Sequence, residues 1–254
     1  MGRCRNRLQQ DRQGGHNEGV VHRGNVGRLG VVALALLLLG AFMAVRIADR
    51  AGAELMRCQQ HRADARTRAA VDAGRPSTLV IGDSWSVGLG LEDLSRSWPS
   101  RLPDAVRVAG FSGSGFSARA STCGRVSFAD RAPTALSSRP DLVVVEGGLN
   151  DYDQPASATE RGFRDLMRIL AGQHVVVIGP ASAPARARAI PRVEALLARL
   201  CAEYAVPYVA TSDLELDYLD DRLHLTMDGH EEFGEAVAER LAGVTPTRPA
   251  VLTS

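Results

Sequence analysis

Residues 78–86 read TLVIGDSWS, an apolar, β-branched run of one strand's length that meets a glycine and then Asp83-Ser84, two residue types favoured at a helix start. Four more such runs follow: AVRVAG at 105–110, LVVVEGG at 142–148, HVVVIGP at 174–180 and PYVAT at 207–211. Three of the five are nearly continuous apolar stretches, as expected of strands covered on both faces. Between and after them apolar residues recur at helical spacing. One stripe is Phe163, Leu166, Met167 and Leu170, a second is Val193, Leu196, Leu197, Leu200, Cys201 and Tyr204, and a third is Phe233, Ala236, Val237 and Leu241. Strands alternating with amphipathic helices predict an α/β fold, an open and mostly parallel five-stranded sheet between two helical layers. Binding sites in such sheets lie beyond the carboxyl ends of the strands, near the point where strand order reverses, so the residues just after each strand carry the functional information.

The composition narrows the field. With 254 residues, 45% hydrophobic and 23% charged, the chain has the balance of a folded globular protein. Thirty basic and 29 acidic residues leave a formal charge of +1, so no electrostatic footprint points to nucleic acid as a partner. Every basic residue is Arg, which excludes a Schiff-base lysine and a P-loop lysine together. Cys4, Cys58, Cys123 and Cys201 form no CxxC pair, and no GxGxxG opens a helix after the first strand, so neither a metal nor an organic cofactor is expected. Cys201 lies on an apolar helical stripe and reads as an inert buried thiol. Cys58 and Cys123 are both free to pair in an oxidising compartment, and their spacing leaves that question open.

Ahead of this pattern, LGVVALALLLLGAFMAV at 29–45 runs without a charge between Arg28 and Arg46, at the short end of the roughly 17–25 residues that span a bilayer. Arg3, Arg5, Arg7, Arg12, Arg23 and Arg28 precede it against Asp11 and Glu18, which suits an inside amino terminus. The expected organisation is a basic cytoplasmic tail at 1–28, a transmembrane anchor at 29–48 and a helical, solvated stalk at 49–76 that Gly74-Arg75-Pro76 ends. One domain at 77–242 and a flexible tail at 243–254 complete it. The rival is a signal peptide cleaved at Ala51-Gly52-Ala53, which releases the domain. Either reading places the domain outside the cytoplasm, with the membrane contact made through 29–48.

Four segments after the strands carry candidate chemistry. Gly82-Asp83-Ser84-Trp85-Ser86 puts a hydroxyl at a strand-to-helix turn, where the ordinary reading is an N-cap. Gly110-Phe111-Ser112-Gly113-Ser114-Gly115 lets the backbone turn tightly and offer an N–H, or is simply a loop. Gly147-Gly148-Leu149-Asn150-Asp151 sets a carboxamide at the same edge, and Asn is also a common turn residue. In Asp221-Arg222-Leu223-His224 a spacing of three lets the carboxylate fold back onto the imidazole and fix its tautomer.

Together, in this order and after these strands, the four blocks resemble the SGNH hydrolase superfamily, the GDSL esterases and lipases, over roughly Thr78 to Leu241. The resemblance implies a three-layer α/β/α sandwich with a flavodoxin-like sheet, and a serine hydrolase acting on carboxylic esters without metal or cofactor. By it, Ser84 is the nucleophile, Asp221 and His224 complete a triad, and the Ser84 N–H, Gly113 and Asn150 form the oxyanion hole. His224-Leu225-Thr226 with Gly229-His230 is similar to the family's closing stretch. Trp85 stands where the family has Leu; with Asp83 it is a candidate for the substrate pocket, and packing is its other reading. The closely spaced glycines allow the second block more than one register.

Among the other titratable groups, His230 is the rival base but has no carboxylate three residues before it, and Asp220 stands four residues before His224. His16, His22, His61 and His174 read as surface or structural residues. The expected mechanism is attack of Ser84 on an ester carbonyl with His224 as base, and the expected partner is a small-molecule or cell-envelope ester. Lipid esters, thioesters and sugar O-acetyl groups are all open, as is oligomeric state. The alternatives are an acyltransferase of the same type and a non-catalytic carbohydrate- or lipid-binding module on the same fold.

Overall fold

The structure, a computed structural model, describes residues 23–70, 77–103 and 105–250. The expected basic tail through residue 22, with Cys4, His16 and His22, the break at Gly74-Arg75-Pro76 and the last four residues of the expected tail lie outside the described residues. The chain divides after Glu54 into two compact units. Helix α1, Arg23–Ala70, is one uninterrupted helix, so Ala51-Gly52-Ala53 is helical. Its most apolar stretch has a mean hydropathy of 2.5, and among the described residues it is the one helix long and apolar enough to cross a membrane. Leu37, Leu38, Phe42 and Ile47 all stand exposed on it.

From Leu55 onward the second unit holds a five-stranded parallel sheet. Its strands are β1 (Thr78–Gly82), β2 (Val106–Gly110), β3 (Leu142–Glu146), β4 (Val175–Ile178) and β5 (Tyr208–Val209), in spatial order β2-β1-β3-β4-β5. Around it pack α2 (Ser84–Val87), α3 (Phe128–Ala135), α4 (Ala156–Ile169), α5 (Ile190–Glu203) and α6 (Met227–Ala242). Alternation along the strands divides the core into two layers. Leu79, Ile81, Val143, Val145, Val175 and Val177 face α3, α4 and α5, burying Phe128, Phe163, Leu166, Met167, Val193, Leu197 and Leu200. Val80, Val144, Val176 and Ile178 point the other way, against Trp85, Trp98 and the α6 residues Phe233 and Val237. Coverage on both faces is why the central strands read as unbroken apolar runs, and it makes the fold the three-layer sandwich expected.

Register brings the strand ends level. Gly82 pairs with Gly110, Ile81 with Val145 and Glu146 with Ile178, so the loops after β1, β2, β3 and β4 leave along one edge. Strand order reverses between β1 and β3, the position at which open α/β sheets place their binding sites.

Two expectations give way. The stalk is solvated on one side only over Leu55–Ala70, its other side being packed: Cys58 is disulfide-bonded to Cys123, and Arg62 donates to the Cys123 carbonyl at 2.8 Å. Cys58, Phe111, Cys123 and Val126 bury together beside Ala65. Arg68 is buried as well, its Nε donating to Ser97 Oγ at 3.0 Å, and that hydroxyl donates to the Ser86 carbonyl at 2.9 Å. Cys58, His61, Ala65 and Arg68 follow helical spacing, so the segment has one inward stripe that its high charge hides. The expected flexible tail is likewise tied down through Ala250. Val175 N–H donates to the Thr247 carbonyl at 2.8 Å, Arg248 donates to Gly172, and Ala250 N–H donates to Tyr204, so the chain extends the pairing of β4 where β5 is too short to cover it.

A disulfide closing a loop of this length is worth about 2–4 kcal/mol. Cys58→Ser in the full chain in detergent should lower the thermal midpoint accordingly, and reductant should bring the parent down to the same value. Equal midpoints for all three would show that the bond contributes nothing.

Candidate active site

Ser84 opens α2 directly after β1 and is 6% exposed. Asp83 is the helix cap, its Oδ1 accepting from Trp85 N–H at 2.9 Å. The loop between β5 and α6 folds back on itself: Leu219 N–H donates to the His224 carbonyl at 2.8 Å, and Tyr218 and Leu225 bridge antiparallel. Asp221 Oδ1 accepts from the N–H groups of Leu223 and His224, both at 2.9 Å, and its Oδ2 accepts from His224 Nδ1 at 2.5 Å. A ring whose Nδ1–H is committed to a carboxylate presents a bare Nε2 on its other side. That nitrogen lies 3.2 Å from Ser84 Oγ and accepts its proton bond. Partial burial works against ionised Asp221, but hydrogen bonds from His224 and Leu223 hold its pKa below the ordinary carboxylate value.

The loops after β2 and β3 complete the edge. Gly113 has φ +82°, a conformation that side chains resist, and its N–H, like that of Ser84, has no acceptor among the described residues. Gly148, at φ +121°, turns the chain where a Cβ would press on Leu197 and Pro180, and Asn150 follows on a tight turn, Leu149–Asp151. Asp151 clamps this turn to the β2 loop by accepting from Phe116 N–H at 3.0 Å and Ser117 N–H at 2.8 Å. Burial raises its pKa to about 6. Asn150 Nδ2 spends both hydrogens within the protein, one on Asp83 Oδ2 at 3.0 Å and one on the Ser114 carbonyl at 2.8 Å. An oxyanion at Asn150 therefore has to share or displace one of these bonds.

Trp85 and Asp83, candidates for the substrate pocket, are instead interior residues. Trp85 is 1% exposed, packs edge-on to Phe233 with ring centroids 5.1 Å apart, and donates from Nε1 to the Leu223 carbonyl at 3.0 Å. A Leu could fill part of this volume but could not hold the residue next to His224. His230 is buried behind the site, its Nδ1 accepting from Trp98 N–H at 3.3 Å; burial, then the charge of His224, push its pKa down to about 4. His61 is not free surface either, since its ring packs edge-on to Phe111 at 6.1 Å between centroids.

Several polar residues at the site escaped the sequence reading. Glu146, a lone charge inside an apolar strand, accepts from Ser86 Oγ at 2.7 Å, and Trp98 Nε1 donates to the same hydroxyl at 3.1 Å. Burial first, and then the neighbouring Asp83, raise the Glu146 pKa well above the ordinary carboxylate range. Burial likewise lifts Asp83 to about 6, against the Trp85 N–H and the charge of Arg186. Arg131, in α3, donates to the Gly82 carbonyl and to Ser114 Oγ, each at 2.9 Å, and to the Ala109 carbonyl, pinning the ends of β1 and β2 together. Arg186 reaches Asn150 Oδ1 at 2.8 Å from the segment between β4 and α5. The charge inside β3 was a visible signal for Glu146; Arg131 and Arg186 are two of thirty arginines in the sequence, and nothing in their spacing sets them apart.

The model of the GDSL-like lipase/acylhydrolase family matches residues 80–232. No curated protein matches the sequence. A carbohydrate acetylesterase from Sinorhizobium meliloti superposes with a TM-score of 0.55 at 20% identity, over 65% of this chain and 98% of that one. The inhibitor-bound aryl esterase of M. smegmatis gives 0.53 at 18%, over 66% and 99%. A family two carbohydrate esterase from Clostridium thermocellum gives 0.53 at 16%, over 65% and 63%. At these identities the likeness is one of fold.

The raised pKa of Glu146 has a consequence for stability. A carboxyl whose folded pKa lies above its unfolded one contributes fully below the unfolded value and costs stability as pH rises through the folded value. Glu146→Gln cannot ionise, so its thermal midpoint relative to the parent should improve steadily from acid to alkaline pH. A constant offset at every pH would show that the Glu146 pKa is the same in the folded and unfolded states.

Proposed function

Since the chain belongs to the GDSL-like lipase/acylhydrolase family, we propose that it hydrolyses carboxylic esters through an acyl-enzyme on Ser84, as a membrane-anchored enzyme with its hydrolase domain outside the cytoplasm. The observation that carries this is the row Ser84 Oγ, His224 Nε2, His224 Nδ1 and Asp221 Oδ2, at 3.2 and 2.5 Å. Ser84 Oγ bonds to the ester carbonyl carbon while its proton passes to His224 Nε2, and Asp221 orients and stabilises the imidazolium. Collapse breaks the bond to the alcohol oxygen, which takes that proton. Water then repeats the sequence on the acyl-enzyme and releases the acid. The developing oxyanion is met by the N–H groups of Ser84 and Gly113, with Asn150 turning one hydrogen away from the Ser114 carbonyl. A bond exchanged only as charge develops favours the transition state over the ground state.

The location rests on two features: the long apolar helix, and a disulfide, which persists in an oxidising compartment. Carbonate-washed membranes should retain the chain, and protease added outside intact spheroplasts should remove the domain; a soluble or protected domain would overturn this placement.

The test of activity is turnover of p-nitrophenyl acyl esters of graded chain length by the full chain in detergent, because residues 55–70 are part of the folded unit. Ser84→Ala should abolish turnover, and Asn150→Ala should lower kcat roughly a hundred- to a thousandfold with a much smaller change in KM. Turnover that survives Ser84→Ala would overturn the assignment.

A further inference from the structure

The segment 180–189 between β4 and α5 belongs to none of the four sequence blocks, yet it holds two of them. Ala185 N–H donates to the Arg222 carbonyl at 2.9 Å, inside the loop that carries Asp221 and His224. One residue on, Arg186 donates to Asn150 Oδ1 at 2.8 Å and to the Leu149 carbonyl, and its guanidinium lies 4.3 Å from the Tyr152 ring centroid. The segment is itself held in shape. Arg186 N–H donates to the Ala183 carbonyl and Ala189 N–H to that of Arg186, each at 2.9 Å, while Ser182 Oγ donates to the Ser212 carbonyl at 2.7 Å.

A carboxamide's two ends are alike in shape and opposite in hydrogen bonding, so its partners decide which way it faces. Asn150 Nδ2 donates to Asp83 Oδ2 and the Ser114 carbonyl, and Oδ1 is left for a donor. Arg186 is that donor, and its cation cannot exchange roles. With the amide reversed, the NH2 group would meet the guanidinium and the carbonyl oxygen would meet the Asp83 carboxyl, both unfavourable. A charge-assisted bond at Oδ1 also draws density from the amide and strengthens its N–H groups as donors. We propose that Arg186 is a positioning residue for the esterase chemistry above. It fixes Asn150 as a donor toward the oxyanion and, through Ala185, keeps that donor in register with the Asp221-His224 loop. The inference rests on the esterase reading, and its test separates the two.

Arg186→Ala, Arg186→Lys and Ser84→Ala are compared in the full chain on one p-nitrophenyl ester, with thermal midpoints measured alongside. Arg192→Gln is the matched control, because Arg192 donates to the Tyr152 and Gln154 carbonyls of the same loop without touching Asn150. Arg186→Ala should lower kcat by about ten- to a hundredfold with KM nearly unchanged. Arg186→Lys should recover part of the loss, and added guanidinium at concentrations that do not unfold the protein should restore part of the activity of the Ala variant, since the site of Arg186 is partly open. Arg192→Gln should keep the parent's kcat. Wild-type kcat in Arg186→Ala overturns the proposal while loss of turnover in Ser84→Ala leaves the esterase reading standing. A loss that tracks a fallen thermal midpoint, equal in the Lys variant and deaf to guanidinium, assigns Arg186 a merely structural role and also overturns it. Turnover that survives Ser84→Ala removes the reading on which the proposal rests.

Discussion

Asn150 and Asp83 meet between the loops after β1 and β3, and both are buried. A buried polar group without a partner costs on the order of 1–3 kcal/mol, so this pair obliges its surroundings to supply donors and acceptors. The Ser114 carbonyl, Trp85 N–H and Arg186 do so, from three different segments of the chain. Glu146 extends the same requirement beneath the sheet edge, where Ser86 and Trp98 complete a second buried set. The loops at the carboxyl edge are therefore held by what the buried groups need, and Ser84 and His224 inherit their geometry from loops already immobilised.

A second support comes from outside the sheet. The end of α1 is joined covalently to the loop that follows β2, and through Arg68 and Ser97 it reaches the backbone of α2 at Ser86. Residues Cys58 to Arg68 thus brace two of the four loops of the site. A domain with a two-residue edge strand has little sheet to spare at that side, and the segment pairing Thr247 with Val175 covers part of it.

What could be read along the chain was what local chemistry repeats. The five apolar runs, the three helical stripes and the four blocks after the strands are periodicities and short motifs, and all depend on neighbours within a few positions. Trp85, by contrast, takes its place from Phe233 and Leu223, and its hydrogen bond spans 138 positions of sequence. Leu55–Ala70 looked solvated because its Ala, Arg and Gln composition dominates, while the inward stripe of Cys58, His61, Ala65 and Arg68 finds its partners far along the chain. The segment around Thr247 carries no period because it pairs through a single bridge, to Val175.

From the sequence alone came the layered α/β architecture, the apolar span and the identities of Ser84, Gly113, Asn150, Asp221 and His224 as a candidate set, since covered strands, amphipathic helices and strand-end motifs write themselves in local order. Tertiary structure alone decided that Ser84 and His224 stand within hydrogen-bonding distance, that both Asn150 hydrogens are already engaged, that Cys58 and Cys123 are joined, and that Arg131 and Arg186 donate to groups at that edge. The reason is physical: burial and hydrogen bonding between distant segments are settled when the sheet brings its loops to one edge, and one arginine among thirty reads like any other until that edge exists.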